Sequence, residues 1–366
     1  MIEQDKMIVK TKRDYTRQRG SILILALWAL GLLTVFSLYV GFNVRQKLVF
    51  LDKIETRNKL YLIADAGIKK MISVIGNVDK EILVSSLTDP WSNDENMFSE
   101  VTLGDGKFTV GWDYQTDDFR AAGQGTGEKR KMFGAQDVQS RININTAEHD
   151  VLVRLIENVA GVDTYTADII GSSIIDWRDE DNLSLPNGAE DKYYRSLRDS
   201  YNCKDLPFET LEELSYVKGM NNDILQKIKP YITIFGSGTV NINTTSRPVL
   251  EALGLGEPVI KKIIEFRCGE DAVEATADDF VFKNANAVVA ELSQVFSLSP
   301  SEDAQLSNLI AQGAMATFSD TFLIEGIATL QHKKGRCRIS CVLQKDYKQD
   351  SDKAGWILSW RTEYFV

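Results

Sequence analysis

The stretch RQRGSILILALWALGLLTVFSLYVGFNV, residues 17–44, decides how the rest of the chain can fold. The 24 residues from Ser21 to Val44 carry no charge. As a helix they rise about 36 Å, enough to cross a hydrocarbon core of roughly 30 Å. A secretory signal has a shorter apolar core, of about 7 to 15 residues, before a small-residue cleavage site. Residues 1–20 carry six bases and three acids. The stretch therefore predicts a membrane-spanning helix, with these basic residues in the cytoplasm and the remainder outside.

The helical pattern continues beyond the apolar run. Apolar residues recur mostly at spacings of three or four, with charges between them, at Leu48, Leu51, Ile54, Tyr61, Leu62, Ile68, Met71, Ile72 and Ile75. This spacing predicts one helix of about 55 residues, whose amphipathic second half packs on a globular head. A plain single-span anchor followed by a juxtamembrane helix would show the same spacing.

Composition excludes several classes of function. The 366 residues carry 42 Lys or Arg against 52 Asp or Glu, a net charge of −10 that disfavours a protein whose main task is to grip phosphate backbones. The two histidines, His149 and His332, lie far apart in the sequence, which disfavours a histidine metal cluster and a histidine-centred catalytic triad. We therefore expect no enzymatic activity.

The four cysteines, Cys203, Cys268, Cys337 and Cys341, show no C-x-x-C spacing. The sequence is compatible with a disulfide between Cys203 and Cys268, and equally with four reduced thiols in the core.

Strand patterns flank a long helical middle. Residues 108–112, 321–330, 336–343 and 356–364 have strand composition, whereas residues 146–310 show helical spacing with short Gly- and Pro-marked breaks. Within the middle, Ile142-Asn143-Ile144-Asn145-Thr146 is repeated as Val240-Asn241-Ile242-Asn243-Thr244. The threonine is a natural helix N-cap, so each copy is predicted to be a strand that leads into a helix.

Two acidic loops lie in this middle. Four carboxylates in six residues (Asp176, Asp179, Glu180 and Asp181) stand at a predicted helix end, and Glu190 follows a Pro-Asn turn. Flexible acidic loops suit calcium, which takes six to eight oxygen ligands, although no EF-hand register fits. A solvated acidic turn paired with Arg178 or Arg195 is the alternative. The second run, residues 270–279, is interpreted as a mobile charged loop.

Residues 17–25 resemble the leader and cleavage site of type IV pilin-like precursors. The resemblance implies that a prepilin peptidase cuts after Gly20, so that the mature chain begins at Ser21. Most of these proteins have a glutamate at the fifth mature position, which neutralises the terminal amine of a neighbouring subunit in the filament core. This chain has Leu25 there. Without that carboxylate, the subunit suits one end of a filament better than its interior.

Further motifs resemble the minor pseudopilin family of type II secretion, general secretion pathway protein K. They run in the same order to the C-terminus: RININ at 141–145, DWRD at 176–179, GAE at 188–190, YY at 193–194, PF at 207–208, LEEL at 211–214, VNINT at 240–244 and WR at 360–361.

The resemblance implies an α+β fold in which the long helix packs on a pilin-like antiparallel sheet and a large helical domain is inserted into the head. The expected parts are a leader (1–20), a transmembrane half-helix (21–44), the first part of the head (45–145), the inserted domain with helix-hairpin-helix-like units (146–310) and the C-terminal strands (311–366).

The same resemblance implies a function in protein export. We expect a pseudopilus tip subunit that primes and caps assembly with pseudopilins I and J, in the inner membrane with its head in the periplasm. Contact with secreted cargo is a further open role. Calcium is bound in the inserted domain of this family, and matched positions indicate Asp179, Asp181 and Glu190, with Asp176 next.

Two other functions remain alternatives. Helix-hairpin-helix units hold DNA phosphates in many proteins, so an exported DNA-binding minor pilin is one of them. Against it, residues 141–270 contain 14 bases and 21 acids, and Asp163 stands where a hairpin would bind phosphate. We therefore expect no nucleic-acid partner. A membrane-anchored hydrolase is the other alternative, although no pair of carboxylates is singled out for such chemistry.

Overall fold

The computed structural model describes residues 19–78, 84–115, 129–346 and 355–365. The predicted leader, apart from Arg19 and Gly20, lies outside the described residues. The chain divides into two structural units, residues 1–59 and residues 60–366.

Helix α1 runs without a break over 59 residues, Arg19–Asn77, which confirms the single long helix. In the first unit its large apolar side chains from Ile22 to Ile54 are all exposed, as they would be in a helix that lies in lipid. Among the described residues, it is the one helix that is long and apolar enough to cross a membrane. It indicates a membrane-anchored protein.

The second unit contains a six-stranded antiparallel sheet, which confirms the α+β class. Its strands are β1 (Val101–Leu103), β2 (Gly106–Val110), β5 (Gln136–Asp137), β10 (Thr321–Leu330), β11 (Arg336–Lys345) and β12 (Gly355–Phe365). Five of them follow the order β1-β2-β10-β11-β12, and β5 pairs with the end of β10 that β2 leaves unpaired. Strands β3 (Trp112–Gln115) and β4 (Lys129–Met132) form a separate antiparallel pair.

The part of α1 that begins at Leu60 packs on this sheet through small residues. A Cβ added to Gly67 would lie 2.8 Å from the ring of Phe108, and one added to Gly326 would lie 3.0 Å from Ile68. The two glycines therefore let the helix backbone approach strands β2 and β10 closely. The buried core between them includes Ile63, Ala64, Ile68, Met71, Phe108, Ile324 and Ile339.

Most of the remaining helices form a second hydrophobic core. They are α3 (His149–Ala160), α4 (Thr164–Arg178), α5 (Asp191–Tyr194), α6 (Asn222–Ile228), α7 (Arg247–Ala252), α8 (Glu257–Arg267), α9 (Val288–Val295) and α10 (Pro300–Ala311), while α2 (Glu95–Phe98) lies beside β1. Leu211–Tyr216 forms a 3₁₀ helix, in which Glu213 folds back to form a capping box with Thr210. The domain borders at 145/146 and 310/311 stay a prediction.

The internal repeat is visible in the backbone. Strand β6 (Ile142–Asn143) pairs in parallel with β7 (Ile232–Thr233), and β8 (Val240–Asn241) pairs in parallel with β9 (Met315–Ala316). Each copy leads from its first strand into a helix, as predicted. The predicted threonine N-caps are wrong, because the helices begin two residues further on, with Glu148 and Ser246 as their N-cap residues.

The asparagines of the repeat play the same part in both copies. Asn143 accepts a hydrogen bond from the N–H of Asn145 (2.9 Å), and Asn241 accepts one from the N–H of Asn243 (3.0 Å). The second asparagine then pairs through its side chain with the backbone of a phenylalanine, Phe208 or Phe282. The repeated asparagine motif therefore anchors the loops that contain Phe208 and Phe282.

A buried polar network joins the second repeat copy to the sheet. The Asp137 carboxylate, at the end of β5, accepts hydrogen bonds from Asn241, Thr244 and Ser319. Burial raises the pKa of Asp137, while the hydrogen bonds act in the opposite direction. Because a buried carboxylate is costly unless it is hydrogen-bonded, this network fixes how the repeat meets the sheet.

Candidate metal centre

The candidate centre starts where α4 ends. Arg178 closes the last turn, and its guanidinium donates to the carbonyls of Ile144 and Ala147 rather than to a carboxylate. Arg195 forms an ion pair with Asp191 (2.6 Å). The Arg195 pair is one that the solvated-turn alternative expected, but among the described residues neither arginine forms an ion pair with Asp179, Asp181 or Glu190.

Three of the predicted ligands meet in space. Asp179, Asp181 and Glu190 each offer a carboxylate oxygen, and these oxygens all lie within 4.8 Å of one another. Glu190 is only 5% exposed, and neither of its oxygens accepts a hydrogen bond from a nitrogen or hydroxyl donor of the described residues. The Oδ1 atom of Asp179 is also buried without a partner, whereas Asp181 is exposed and accepts from the N–H of Leu183.

Asp176, the fourth predicted residue, faces the same loop but is already hydrogen-bonded. Its carboxylate accepts from the N–H of Leu185 (3.1 Å) and the hydroxyl of Ser184 (3.2 Å). A Cβ added to Gly188 would lie 2.0 Å from Asp176 Oδ2, so only glycine fits there. Asp176 therefore shapes the loop that carries the other carboxylates.

Like charges and burial make the cluster unfavourable without a cation. Burial, followed by the charges of Asp176 and Asp179, raises the pKa of Glu190 to about 7. Burial and the charge of Asp181 also raise the pKa of Asp179. Buried carboxylates without hydrogen bonds are costly, and a hard cation such as calcium is the partner that an all-oxygen donor set prefers.

Sequence reasoning missed two neighbours of this cluster. Asp205 and Cys203 lie beside Glu190, with one ligand atom of each of the three residues within 4.8 Å of the others. They follow Glu190 in the chain by more than ten residues, beyond α5, and no spacing signal linked them to it. All four cysteines are buried thiols, and Cys203 and Cys268 form no disulfide.

The second acidic run is satisfied by its own surroundings. Glu274 forms an ion pair with Arg267 and accepts from the hydroxyl of Tyr114. Asp278 accepts from the backbone N–H groups of two loop residues, and Asp279 does the same with two others. The loop is therefore tied together by hydrogen bonds, which the interpretation as a mobile charged segment did not foresee.

The predicted processing site lies at the beginning of α1. Gly20 and Ser21 are in its first turn, and Leu25 is 70% exposed on the same helix. Cleavage after Gly20 stays a prediction.

Comparisons with known proteins converge on one family. The family model for type II secretion system protein K matches residues 132–237. Protein K of Pectobacterium carotovorum is 23% identical over 252 residues, which cover 66% of this chain and 72% of the relative. Protein K of Dickeya chrysanthemi is 32% identical over 104 residues, 27% of this chain and 28% of the relative.

The fold is that of a solved member. The structure of the GspK-GspI-GspJ complex from enterotoxigenic Escherichia coli matches with a TM-score of 0.62 at 17% identity, covering 85% of this chain and 98% of that chain. The family serves a structural rather than a catalytic role. The chain therefore belongs to the protein K family of type II secretion systems, and it is a minor pseudopilin.

Proposed function

We propose that this minor pseudopilin is the tip subunit of its pseudopilus and primes and caps assembly together with pseudopilins I and J. The solved relative was captured in a complex with GspI and GspJ. The observation that carries the tip position is the uncharged span from Ser21 to Val44, with Leu25 at the place of the usual glutamate. Such a helix cannot offer its neighbour the ion pair that holds interior subunits in register.

The size of the second unit supports the same position. Besides the core between α1 and the sheet, it contains a second core built from helices between His149 and Ala311. A subunit with so large an addition is too bulky to be repeated along a slender filament, whereas one copy at an end meets no such restriction. Contact with secreted cargo at the tip is a further role for this exposed helical part.

Processing and location follow from the N-terminal sequence. In this proposal a prepilin peptidase removes residues 1–20, the apolar half of α1 stays in the inner membrane until assembly, and residues 60–366 lie in the periplasm. The exposed apolar side chains of α1 then contact lipid first and the helices of pseudopilins I and J afterwards.

Reconstitution tests the partners. The processed chain, mixed in detergent with pseudopilins I and J, should elute as one complex that contains all three. Leu25→Glu is the informative variant because it restores a carboxylate at this depth. We expect it to weaken the tip complex and to promote incorporation along the shaft. Separate elution of the unmodified chain from both partners would contradict the proposal.

We further propose that calcium binds at Asp179, Asp181 and Glu190. These residues provide hard oxygen donors, and the orphaned oxygens of Glu190 and Asp179 indicate that a positive partner belongs there. A cation held between the end of α4 and Glu190 would fasten the loop that joins them. Weak extracellular-type sites bind calcium at roughly 10⁻⁴ to 10⁻³ M, which matches an exterior compartment.

The proposed function involves no catalysis. The hydroxyl of Ser172 lies 3.0 Å from Nε2 of His149, and Asp150 lies 3.4 Å from Nδ1, an arrangement that resembles a triad. However, Ser172 is 2% exposed within α4, so a substrate carbonyl could not reach its hydroxyl, and Asp168 occupies the same Nε2 at 3.2 Å. Turnover of an activated ester that is lost in Ser172→Ala would contradict this assignment.

Nucleic-acid binding is not favoured. The three helix-hairpin-helix-like units turn at Gly161 between α3 and α4, at Gly219 before α6 and at Gly254 between α7 and α8. In the first two hairpins the chain itself caps the start of the second helix, since Asp163 accepts from the N–H of Thr166 and Asn221 accepts from the N–H of Ile224. In the third hairpin the N–H of Gly256 donates to Gln305. A phosphate would have to displace these partners, one of which is negatively charged. The purified chain should leave DNA unshifted in a gel at low salt.

A further inference from the structure

The acidic pocket contains a thiol that a calcium site does not use. Cys203 is 6% exposed, and its Sγ, a carboxylate oxygen of Glu190 and one of Asp205 all lie within 4.8 Å of one another. We propose that these three residues form a second cation site, which takes a thiophilic divalent ion of the zinc class. This site shares Glu190 with the proposed calcium site, and it does not depend on the proposed assembly at the tip.

The carboxylates of the second site face the Cys203 thiol and have few other partners. Both oxygens of Glu190 and the Oδ1 atom of Asp205 are buried, and among the described residues no nitrogen or hydroxyl donor reaches them. Buried polar atoms are almost always satisfied by a donor, by water or by an ion. Glu190 has two such atoms, so it can face one ion with Asp179 and Asp181 and another with Cys203 and Asp205.

The donor types on the two sides of Glu190 differ. Asp179 and Asp181 add only oxygen, the ligand that hard cations prefer, whereas Cys203 adds sulfur, which binds zinc-class ions far better than calcium. The backbone holds the thiol in place, because the N–H of Cys203 donates to Asp191 (2.9 Å). A small adjustment of the side chains would close the group around an ion with bonds of about 2.1 Å to oxygen and about 2.3 Å to sulfur.

Binding would be a simple exchange of a proton for a metal. The S–H bond of Cys203 breaks, its proton passes to the buffer, and the thiolate forms a bond to the ion with no change in oxidation state. At present the thiol contacts the carbonyl of Asp176 at 3.5 Å, a weak contact that an ion can replace.

Cadmium is the probe that reports the sulfur bond directly, because a thiolate bound to it absorbs in the ultraviolet. The full chain in detergent, titrated with Cd²⁺, should develop this charge-transfer band, and Zn²⁺ should displace it. Cys203→Ser should abolish the band and weaken Zn²⁺ binding by about 100-fold or more, since even the loss of an outer-shell partner costs roughly 10- to 100-fold. Cys268→Ser, at another buried cysteine, is the matched control and should keep both the cadmium band and the Zn²⁺ affinity.

Calcium binding distinguishes the proposed zinc-class site from the proposed calcium site. Cys203→Ser should bind calcium as the unmodified chain does, whereas Asp179→Asn should lose calcium affinity and keep the cadmium band. If Cys203→Ser does not fold, Asp205→Asn replaces it and should weaken Zn²⁺ at least about tenfold. The absence of a band in the unmodified chain, or its persistence in Cys203→Ser, would overturn the proposal whatever the calcium result.

Discussion

Neutralising Glu190 should stabilise the calcium-free protein and remove its stabilisation by calcium. Its carboxylate lies within 4.8 Å of those of Asp179 and Asp181, and two unit charges at this distance repel by roughly 3 kcal/mol at an effective dielectric constant of about 20. Asp181 is exposed, so solvent screens much of its share. In a chelator at pH 8, where the Glu190 carboxyl is mostly ionised, Glu190→Gln should therefore be more stable than the unmodified chain by about 1 to 2 kcal/mol.

Calcium should make the unmodified chain more stable than Glu190→Gln. At a concentration of about 100 times Kd, the ion stabilises the unmodified chain by about 2.7 kcal/mol. For a unit of this size, roughly 2 °C per kcal/mol gives a rise in Tm of about 5 °C. Glu190→Gln has lost the carboxylate that completes the site, so its Tm should hardly respond. In calcium it should therefore be the less stable protein.

Calorimetry on both proteins, with chelator and with calcium, measures this change in their relative stability. Glu180→Gln is the matched control, because it removes a charge from an exposed residue of the same loop and should leave the calcium response intact. The reasoning is refuted if Glu190→Gln is the less stable protein in chelator, or if its Tm rises with calcium as much as that of the unmodified chain.

Three further outcomes follow from other parts of the chain. Lys262 and the N–H of Ser299 lower the pKa of Glu302 to about 2, so Glu302→Gln should cost about 1 to 2 kcal/mol at pH 7. This deficit should fade as the pH falls from about 4.5 towards 2, and a deficit that is unchanged at pH 2 in urea unfolding would refute it. Asp137→Ala leaves several buried donors unpaired and should cost about 3 kcal/mol or more, whereas a loss below about 1 kcal/mol would show that the network is unimportant. Gly20→Trp should leave the precursor uncut, and a mature chain of the expected mass in that variant would disprove cleavage at this position.

The long-period patterns of the chain could be predicted from the sequence. Helix α1 and strands β10, β11 and β12 agree with the prediction, because each contains enough residues for a spacing of two or 3.6 to show. The strand-to-helix units agree because their sequence motif is repeated. The two-residue strands β5, β7 and β9 contain no period, and they form because a neighbouring strand offers hydrogen bonds.

The candidate centre was predictable only where its ligands are close in the chain. Asp179, Asp181 and Glu190 belong to the one loop between α4 and α5, whereas Cys203 and Asp205 reach Glu190 through the path of the chain after α5. The second acidic run shows the same limit. Its Glu274 is satisfied by Tyr114, which lies 160 residues away in the sequence, so composition alone could not distinguish it from a solvated charge.

The tip position is tested most directly by locating the chain on the filament. Pseudopili from cells in which this protein carries a C-terminal epitope can be labelled with gold and viewed by electron microscopy. We expect one cluster of gold at a single end of each pseudopilus and none along the shaft. Gold particles at regular intervals along the shaft would contradict the account.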